Sequence, residues 1–266
     1  MYGVGRFLLF VAALAVGVAL GAWLFHPGRT AQPLAAITSP PPDDTWLDRL
    51  YSQNPAEAAE AAGTVRELGD GAVPAIRKVL QDPNATRERQ KGALKACGLL
   101  GTAAAPAVSE VAAALSEPEL TAEAAVALSF MGTPAFPPLQ EAFGSEDPLV
   151  RRESLRSIGK LKERAGLETS AVLPLLVQGI DDPDPGVRSV AATYLGIIHE
   201  GDELAVPALM KALKDPEPDV RRVSAEALGS FGDAAKPALP ALRKATGDPD
   251  PEVAREAGVT LVKLGK

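Results

Sequence analysis

The chain has 266 residues, of which 46% are apolar, 23% charged and 5% aromatic, so it can form one large core and is not disordered throughout. Its single cysteine, Cys97, and its two histidines are too few for a disulfide, a cysteine-based zinc or iron–sulfur centre, or a multi-histidine metal site. The net charge of −7 argues against nucleic acid as a partner, and the composition predicts neither a metal nor a cofactor.

A long apolar stretch lies near the N-terminus. After a short flank at residues 1–6, residues 7–25 contain no charged side chain. A helix of that length spans about 28 Å, close to the ~30 Å hydrocarbon core of a bilayer, so we expect a transmembrane helix that acts as a signal anchor. The alternative is a signal peptide cleaved near Gly21, but the apolar stretch continues to Phe25, beyond the usual length of such a region.

The charges on either side of this stretch predict its orientation. Arg6 and the α-amino group precede it, whereas Arg29 is the basic residue that follows it closely. Because positive residues favour the cytoplasmic side, we expect a single-pass membrane protein with most of the chain on the exported, periplasmic or extracellular, side. Gly17 and Gly21 lie on one face of the predicted helix, where small residues permit a weak homodimer.

Residues 26–42 form a proline-rich linker. They contain five prolines and no acidic residue, a composition that favours an extended, semi-rigid spacer. Because Arg6 and Arg29 are the only Lys or Arg residues before position 43, 25 of the 27 basic residues and all 34 acidic residues follow it. The region 43–266 therefore carries a net charge of −9.

The region 43–266 contains an internal repeat. An Asp-Pro-acid-Pro turn begins at Asp182, Asp215 and Asp248, and the spacing between successive turns is 33 residues. A proline stands eight residues before each turn, at Pro174, Pro207 and Pro240, and similar prolines occur upstream at Pro74 and Pro137. This period predicts a solenoid of about seven helical hairpins, in which each unit buries its apolar face only against its neighbours.

The two helices of one unit follow from local chemistry. A first helix begins close to Pro207 and ends before Asp215. A second helix is predicted over 218–231, and its core face contains Val220, Val223, Ala227, Leu228 and Phe231. Gly232 closes it as a left-handed cap, and the same glycine recurs at Gly69, Gly101, Gly132 and Gly265.

The Asp-Pro-x-x-x-Val-Arg turn, the Ala-Leu-Gly-x-x-Gly helix end at 227–232 and the proline-led first helix resemble HEAT repeats. They are most similar to the short bacterial type first noted in phycobilin lyase subunits. The resemblance covers nearly all of 43–266 and implies an all-α, right-handed superhelix whose second helices line a concave surface that commonly binds proteins. It also implies that Arg151, Arg188 and Arg221 pair with turn acids of adjacent units.

Residues that could carry chemistry are isolated. One His-Glu pair, His199-Glu200, cannot build the di-iron site of the HEAT-repeat deoxyhypusine hydroxylases, which need repeated pairs. Cys97 aligns with Leu228 and is predicted to be a small buried hydrophobe. The sequence has neither a Gly-x-Ser-x-Gly elbow nor a phosphate-binding loop, so we expect no catalytic, cofactor-binding or metal-binding residue and no enzyme activity.

The positions between the core residues of each second helix are predicted to form rows on one surface, because the units stack at a constant period. The candidate protein-binding residues are Arg152, Arg156, Arg222, Glu226 and Arg255, with Ser189 and Thr193 in the same rows. The basic residues of this set suit either a solvated helix face or an acidic protein partner. Since the rows carry charge without aromatic anchors, modest affinity is expected.

Three functions remain open. The first is a membrane-anchored, non-catalytic scaffold that binds other proteins through the concave face. The second is a bilin lyase-like enzyme or chromophore-binding protein, suggested by repeat similarity alone. The third is a structural spacer without a partner. Fold resemblance does not transfer chemistry, so the sequence favours the scaffold.

Overall fold

The computed structural model describes residues 44–265, and the regular secondary structure in that range is entirely helical. The predicted membrane helix, its glycines Gly17 and Gly21, and the proline-rich linker lie outside the described residues. The α-helices are α1 (Trp46–Arg49), α2 (Pro55–Leu68), α3 (Val73–Gln81), α4 (Arg87–Leu100), α5 (Val108–Ala113), α6 (Thr121–Leu128), α7 (Phe136–Ala142), α8 (Pro148–Ala165), α9 (Thr169–Gly179), α10 (Pro185–Ile198), α11 (Asp202–Ala212), α12 (Pro218–Leu228), α13 (Leu239–Ala245) and α14 (Pro251–Lys263). Short 3-10 helices cover Gly69–Ala72, Gly101–Ala107, Ala114–Ser116, Thr133–Ala135 and Gly232–Ala238.

These elements pair into seven hairpins between residues 46 and 263, which we number units 1 to 7. The first α-helix of each unit has an odd number and the second an even number. The even-numbered helices pack side by side in chain order, each against the next, and the odd-numbered helices form a second layer against them. The all-helical repeat architecture and the number of hairpins expected from the sequence are thus confirmed.

The core lies between the two layers and has the predicted composition. Val220, Val223, Ala227, Leu228 and Phe231 all keep 9% or less of their surface exposed. The second helix of unit 6, predicted over 218–231, is shorter than expected. It is α12, which ends at Leu228, and the chain continues as a turn through Phe231. Phe231 nevertheless packs in the core, since the turn carries it back over the helix end.

The glycines that follow the second helices have positive φ, as predicted. Gly69, Gly101, Gly132, Gly232 and Gly265 have φ between 53° and 97°. The expected left-handed helical geometry is wrong for the first three, whose ψ values are −132°, −127° and −166°. This combination of angles is essentially restricted to glycine, so the chain reverses sharply there at little cost.

The position of the repeated proline differs between units. Pro74 and Pro137 stand at the second residue of α3 and α7, as predicted for a proline-led helix. Pro174 and Pro207 instead lie inside α9 and α11, which begin five residues earlier. In α11 this extra turn starts with Asp202 and Glu203, whose carboxylates favour a helix N-terminus.

One stretch of the described residues, Arg87–Ser116, is long and apolar enough to span a membrane by length and composition. It consists of α4, α5 and two 3-10 segments, and Gly101, with φ of 59°, interrupts it. Leu94 and Val111 within it are fully buried in the common core. The stretch is therefore part of units 2 and 3 of the array.

Candidate protein-interaction face

Exposed side chains of the even-numbered helices form one surface, which we call the even-helix face. Equivalent repeat positions place Arg152, Ser189, Arg222 and Arg255 in one row, and Arg156, Thr193 and Glu226 in the next. Thr193, Arg222 and Glu226 line one shallow groove between α10 and α12. The hydroxyl of Ser189 donates to Asp219 at 2.9 Å, which joins these two helices. The structure therefore brings Ser189, Thr193, Arg222 and Glu226 together at α10 and α12. Arg152 and Arg156 lie on α8, and Arg255 lies on α14.

Each of the predicted charged residues is paired on its own helix. Arg152 and Arg156 flank Glu153, at 3.2 and 3.3 Å. Arg222 contacts Asp219 at 2.6 Å and Glu226 at 3.6 Å. Arg255 contacts two glutamates of α14, Glu252 at 2.9 Å and Glu256 at 3.7 Å. Much of the charge on these rows is therefore locally neutralised.

Helix α8 is the exception, because cations outnumber acids along one of its sides. Arg152, Arg156, Lys160 and Arg164 follow one another at intervals of four residues, and we call them the α8 basic row. Partial burial lowers the pKa of Lys160, and the positive charges of Arg164 and Arg156 lower it further against the opposing effect of Glu153 and Glu163. Sequence analysis found the two arginines of this row but missed Lys160 and Arg164, which the four-residue spacing could have revealed.

An apolar groove lies beside this row, between α4 and α6. It has a volume of about 720 Å³, and its lining includes Tyr51, Leu99, Val126 and Phe130. Tyr51, Val126 and Phe130 remain 37%, 46% and 40% exposed, a large fraction for such side chains. The groove is therefore an apolar surface that the packing of the array leaves uncovered.

Two of the lining side chains, Tyr51 and Phe130, are aromatic, although the predicted rows beside the groove contain no aromatic residue. A cation stands over each ring: Arg164 Cζ is 3.9 Å from the ring centroid of Phe130, and Lys95 Nζ is 4.9 Å from that of Tyr51. Such contacts orient both partners by cation–π attraction. Phe130 was missed because the equivalent position in unit 6 is Ser230, outside the repeated core pattern.

The repeated arginines and turn aspartates form a separate set of contacts, which we call the arginine rungs. Nε and Nη2 of Arg151 both donate to Asp182 at 2.8 Å. Arg188 holds Asp215 at 2.7 and 2.8 Å in the same way. The third rung, from Arg221 to Asp248, measures 2.9 and 2.8 Å. The pairing implied by the HEAT resemblance is thus confirmed.

The rungs also organise the turns they touch. Nη1 of Arg188 donates to the carbonyls of Asp182 and Pro183 at 2.9 Å, which ties down the turn of its own unit. Asp215 Oδ1 meanwhile accepts the amide of Glu217 at 2.9 Å. Both side chains are largely buried, at 12% and 8% exposure. These residues stabilise the array and are not presented to a ligand.

The remaining candidates for chemistry have structural environments. Cys97 is fully buried, and burial, with the nearby charge of Glu110, raises the pKa of its thiol to about 12. A thiol of this kind is not a nucleophile near neutral pH. His199 is exposed at the end of α10, where its Nδ1 lies 2.8 Å from the carbonyl of Ile197. Within residues 44–265, no group of three His, Cys, Asp or Glu side chains is placed to hold a metal ion.

Comparison with known families identifies the repeat. Residues 136–229 and 206–266 match the family model of HEAT repeats. Together with the rungs and the hairpin geometry, this match makes the chain a HEAT-repeat protein. A comparison with curated proteins gives no significant match. The finer similarity to the phycobilin lyase type stays a prediction.

Solved structures of similar fold include two proteins that bind other proteins. A structure of Kap95p binding RanGDP matches 83% of this chain and 32% of its own, with a TM-score of 0.63 and 16% identity. Kap121p matches 79% of this chain and 28% of its own, with a TM-score of 0.61 and 16% identity, and its complex with Nup53p has the same TM-score at 15% identity. The chain thus spans about a third or less of these proteins, and the likeness shows the fold.

Proposed function

We propose that this protein is a membrane-anchored scaffold that binds partner proteins through its even-helix face and catalyses no reaction. The observation that carries the proposal is the uncovered groove between α4 and α6, where Val126 and Phe130 remain 46% and 40% exposed. Exposed apolar patches of this kind mark interaction sites, and aromatic side chains are frequent among the residues that dominate binding energy. Complexes of Kap121p with Pho4p and Nup53p support the same use of a similar fold.

The experiment places a photo-crosslinking amino acid at Val126 of the full chain in native membranes. Discrete protein adducts are expected at this position, because a partner seated on the face excludes water from the groove. The matched control places the same group at Lys78, which is exposed on α3 in the opposite layer. Adducts of equal yield at both positions, or none at Val126, would contradict the proposal.

Membrane anchoring is the second part of the proposal and is supported by the apolar stretch at residues 7–25. With Arg6 before it, the array would stand on the exported side. A protease-cleavable tag beside Pro40 should be cut in intact spheroplasts by protease added outside. Cutting only after lysis would reverse the orientation, and release of the chain by a salt wash would remove the anchor from the proposal.

Weak self-association through the membrane helix belongs to the same proposal. Gly17 and Gly21 would let two helices approach closely, whereas a larger side chain would keep them apart. Gly17→Leu should therefore lower a membrane two-hybrid signal. Gly3→Leu, which lies outside residues 7–25, serves as the matched control. An unchanged signal in Gly17→Leu would mean that the two glycines are incidental.

A further inference from the structure

We propose that the groove between α4 and α6 and the α8 basic row form one docking site for an acidic peptide segment of a partner protein, with a bulky apolar residue as its anchor. The inference rests on the proposed function and names the chemistry of the partner. The groove would take the anchor, and the basic row would take the carboxylates.

The groove suits an apolar side chain of the partner. Its volume of about 720 Å³ is within the range of small-ligand pockets, and its exposed lining is mostly apolar. Val126 of α6 and Phe130 in the turn after it supply one wall, Leu99 of α4 supplies part of the opposite wall, and Tyr51 lies at the side of the groove. An aromatic or aliphatic residue placed there would remove several exposed apolar surfaces from water at once.

The basic row suits carboxylates. Its four cations face two neighbouring acids, Glu153 and Glu163, and Lys160 takes part in none of the ion pairs of the described residues. Lys160 lies between Arg156 and Arg164, one helical turn from each; burial lowers its pKa most, and the positive charges of Arg164 and Arg156 lower it further. A carboxylate placed over the row would relieve this repulsion, so the excess positive charge is complementary to an acidic segment.

Arg164 joins the two halves of the site. Its guanidinium lies over the ring of Phe130 at 3.9 Å and donates to Ser129 Oγ at 2.9 Å, so the last cation of the row forms the rim of the groove. Packed helices lie about 8–10 Å apart, which puts the groove centre about 12–15 Å from the axis of α8. An extended chain covers that distance in about four or five residues. The anchor and the acids should have this spacing.

Other occupants fit the site less well. The linker at 26–42 contains no acidic residue, so it cannot supply the carboxylates from within the chain. A nucleic acid or an anionic bilayer would be repelled by the net charge of −9 carried by 43–266 and by Glu123 in the groove lining. A short acidic peptide avoids most of that repulsion, because its carboxylates contact the basic row and only its uncharged anchor enters the groove beside Glu123.

The test is a selection from a displayed library of random 12-residue peptides on the full chain held in zwitterionic nanodiscs. Enriched sequences should share a Phe, Trp or Leu separated by about four or five residues from at least two acids. Binding of a selected peptide, measured by fluorescence anisotropy, should weaken at least tenfold when its acids become amides or its anchor becomes Ala. It should also weaken at 0.5 M NaCl, since the contacts are ionic.

Variants of the protein separate docking from folding. Lys160→Gln should weaken peptide binding about fivefold without lowering the melting temperature, because it removes a crowded charge. Val126→Ser should weaken binding through the groove. Lys244→Gln, on the exposed side of α13, is the matched control and should change nothing.

Four outcomes would overturn the inference. They are no enrichment, enrichment without acids, selected peptides that bind Lys160→Gln unchanged, and tighter binding to vesicles of phosphatidylglycerol than to any peptide. Partner adducts at Val126 together with one of these outcomes would leave the scaffold proposal intact and reject only the acidic segment. Loss of those adducts would reject the scaffold itself.

Discussion

The arginine of each rung uses its guanidinium in two directions. Nε and Nη2 of Arg188 bind one carboxylate of the next unit, while Nη1 binds two carbonyls of its own turn. Only a planar group with donors on several edges can make both sets of contacts, and a lysine ammonium cannot reproduce the fork. This explains why arginine recurs at 151, 188 and 221, whereas the exposed rows vary from unit to unit.

Removal of one rung should therefore destabilise the array strongly. Arg188→Ala leaves Asp215, which is 8% exposed, without its cation, and we expect a loss of about 2–4 kcal/mol in the free energy of unfolding. Arg222→Ala is the control, because its partner Asp219 is 63% exposed and such pairs contribute about 0–1 kcal/mol. Urea unfolding of both variants measures the difference. Equal losses would mean that the rungs behave as ordinary surface pairs.

The rungs also predict how stability depends on pH. The hydrogen bond from Arg221 lowers the pKa of Asp248 below its ordinary value of 3.8, against a smaller opposing effect of burial. Since the folded pKa is below the unfolded one, the stabilisation is present above about pH 4 and is lost as the pH falls through the folded pKa. Asp248→Asn should be less stable than the parent protein at pH 7, and the two should converge towards about pH 2. A constant gap between their urea midpoints would contradict this assignment.

At the scale of helices, glycines set the distance between even-numbered neighbours. A Cβ on Gly159 would lie 2.2 Å from the ring of Tyr194, and one on Gly196 would lie 2.7 Å from Cα and Cβ of Ala227. Helices α8, α10 and α12 can approach closely only because these side chains are absent. The contacts lie near the carboxyl ends of the helices, opposite the rungs at their amino ends.

Filling one of these contacts should separate two helices. Gly196→Ala forces α10 away from the backbone of α12, and overpacking of this kind costs about 1–3 kcal/mol. Gly258→Ala in α14 meets nothing within 4 Å and should instead stabilise the protein by about 0.5–1 kcal/mol through helix propensity. Opposite shifts of the two urea midpoints are expected. Stabilisation in both variants would show that the space between α10 and α12 accommodates an alanine side chain at position 196.

Helix boundaries show what local sequence rules can and cannot determine. Pro218 and Pro251 begin α12 and α14 as expected, because each follows an acidic residue at the turn. Pro174 and Pro207 do not begin their helices, because the residues before them also favour a helix. The backbone hydrogen bond that each proline cannot donate is outweighed by the bonds of the longer helix. The proline marks a repeat position reliably but does not mark a helix start.

For the whole molecule, stability should differ along the array. Units 4 to 7 are joined by three buried rungs. Units 2 and 3 are joined by ion pairs whose cations Arg77, Arg87 and Lys91 are 45%, 43% and 31% exposed. In stacked repeats each unit depends on its neighbours, so weaker junctions open at lower free energy. Hydrogen exchange followed by mass spectrometry should show faster exchange in α2, α4 and α6 than in α10 and α12. Uniform protection would mean that the whole array unfolds as one unit.

The fold was predictable because it repeats, and the docking surface was not because it occurs once. Period, turn acids and closing glycines identify the hairpins from sequence alone. Phe130 takes a position that holds Ser230 in unit 6, so no repeat pattern marks it, and Lys160 is marked only by its four-residue spacing from Arg156 and Arg164. The contact of Phe130 with Arg164 depends on α6 and α8 packing side by side, which only the three-dimensional arrangement supplies. The predicted binding role of Arg152 and Arg156 stays a prediction.

The two contacts at the junctions between units 4, 5 and 6 have a mechanical consequence. Neighbouring units are held at two points, by an arginine rung at one end of the even-numbered helix and by a close glycine contact towards the other. These units should therefore resist twisting relative to each other. Between α4 and α6 the glycine within the helix has more room, because a Cβ on Gly98 would lie 3.9 Å from Cα of Ala127, and the cations of the ion pairs there are 31% to 45% exposed. That junction should therefore bend and twist more easily than those between units 4, 5 and 6. A partner anchored in its groove would therefore deform this junction first, while units 4 to 6 would move together as a rigid body.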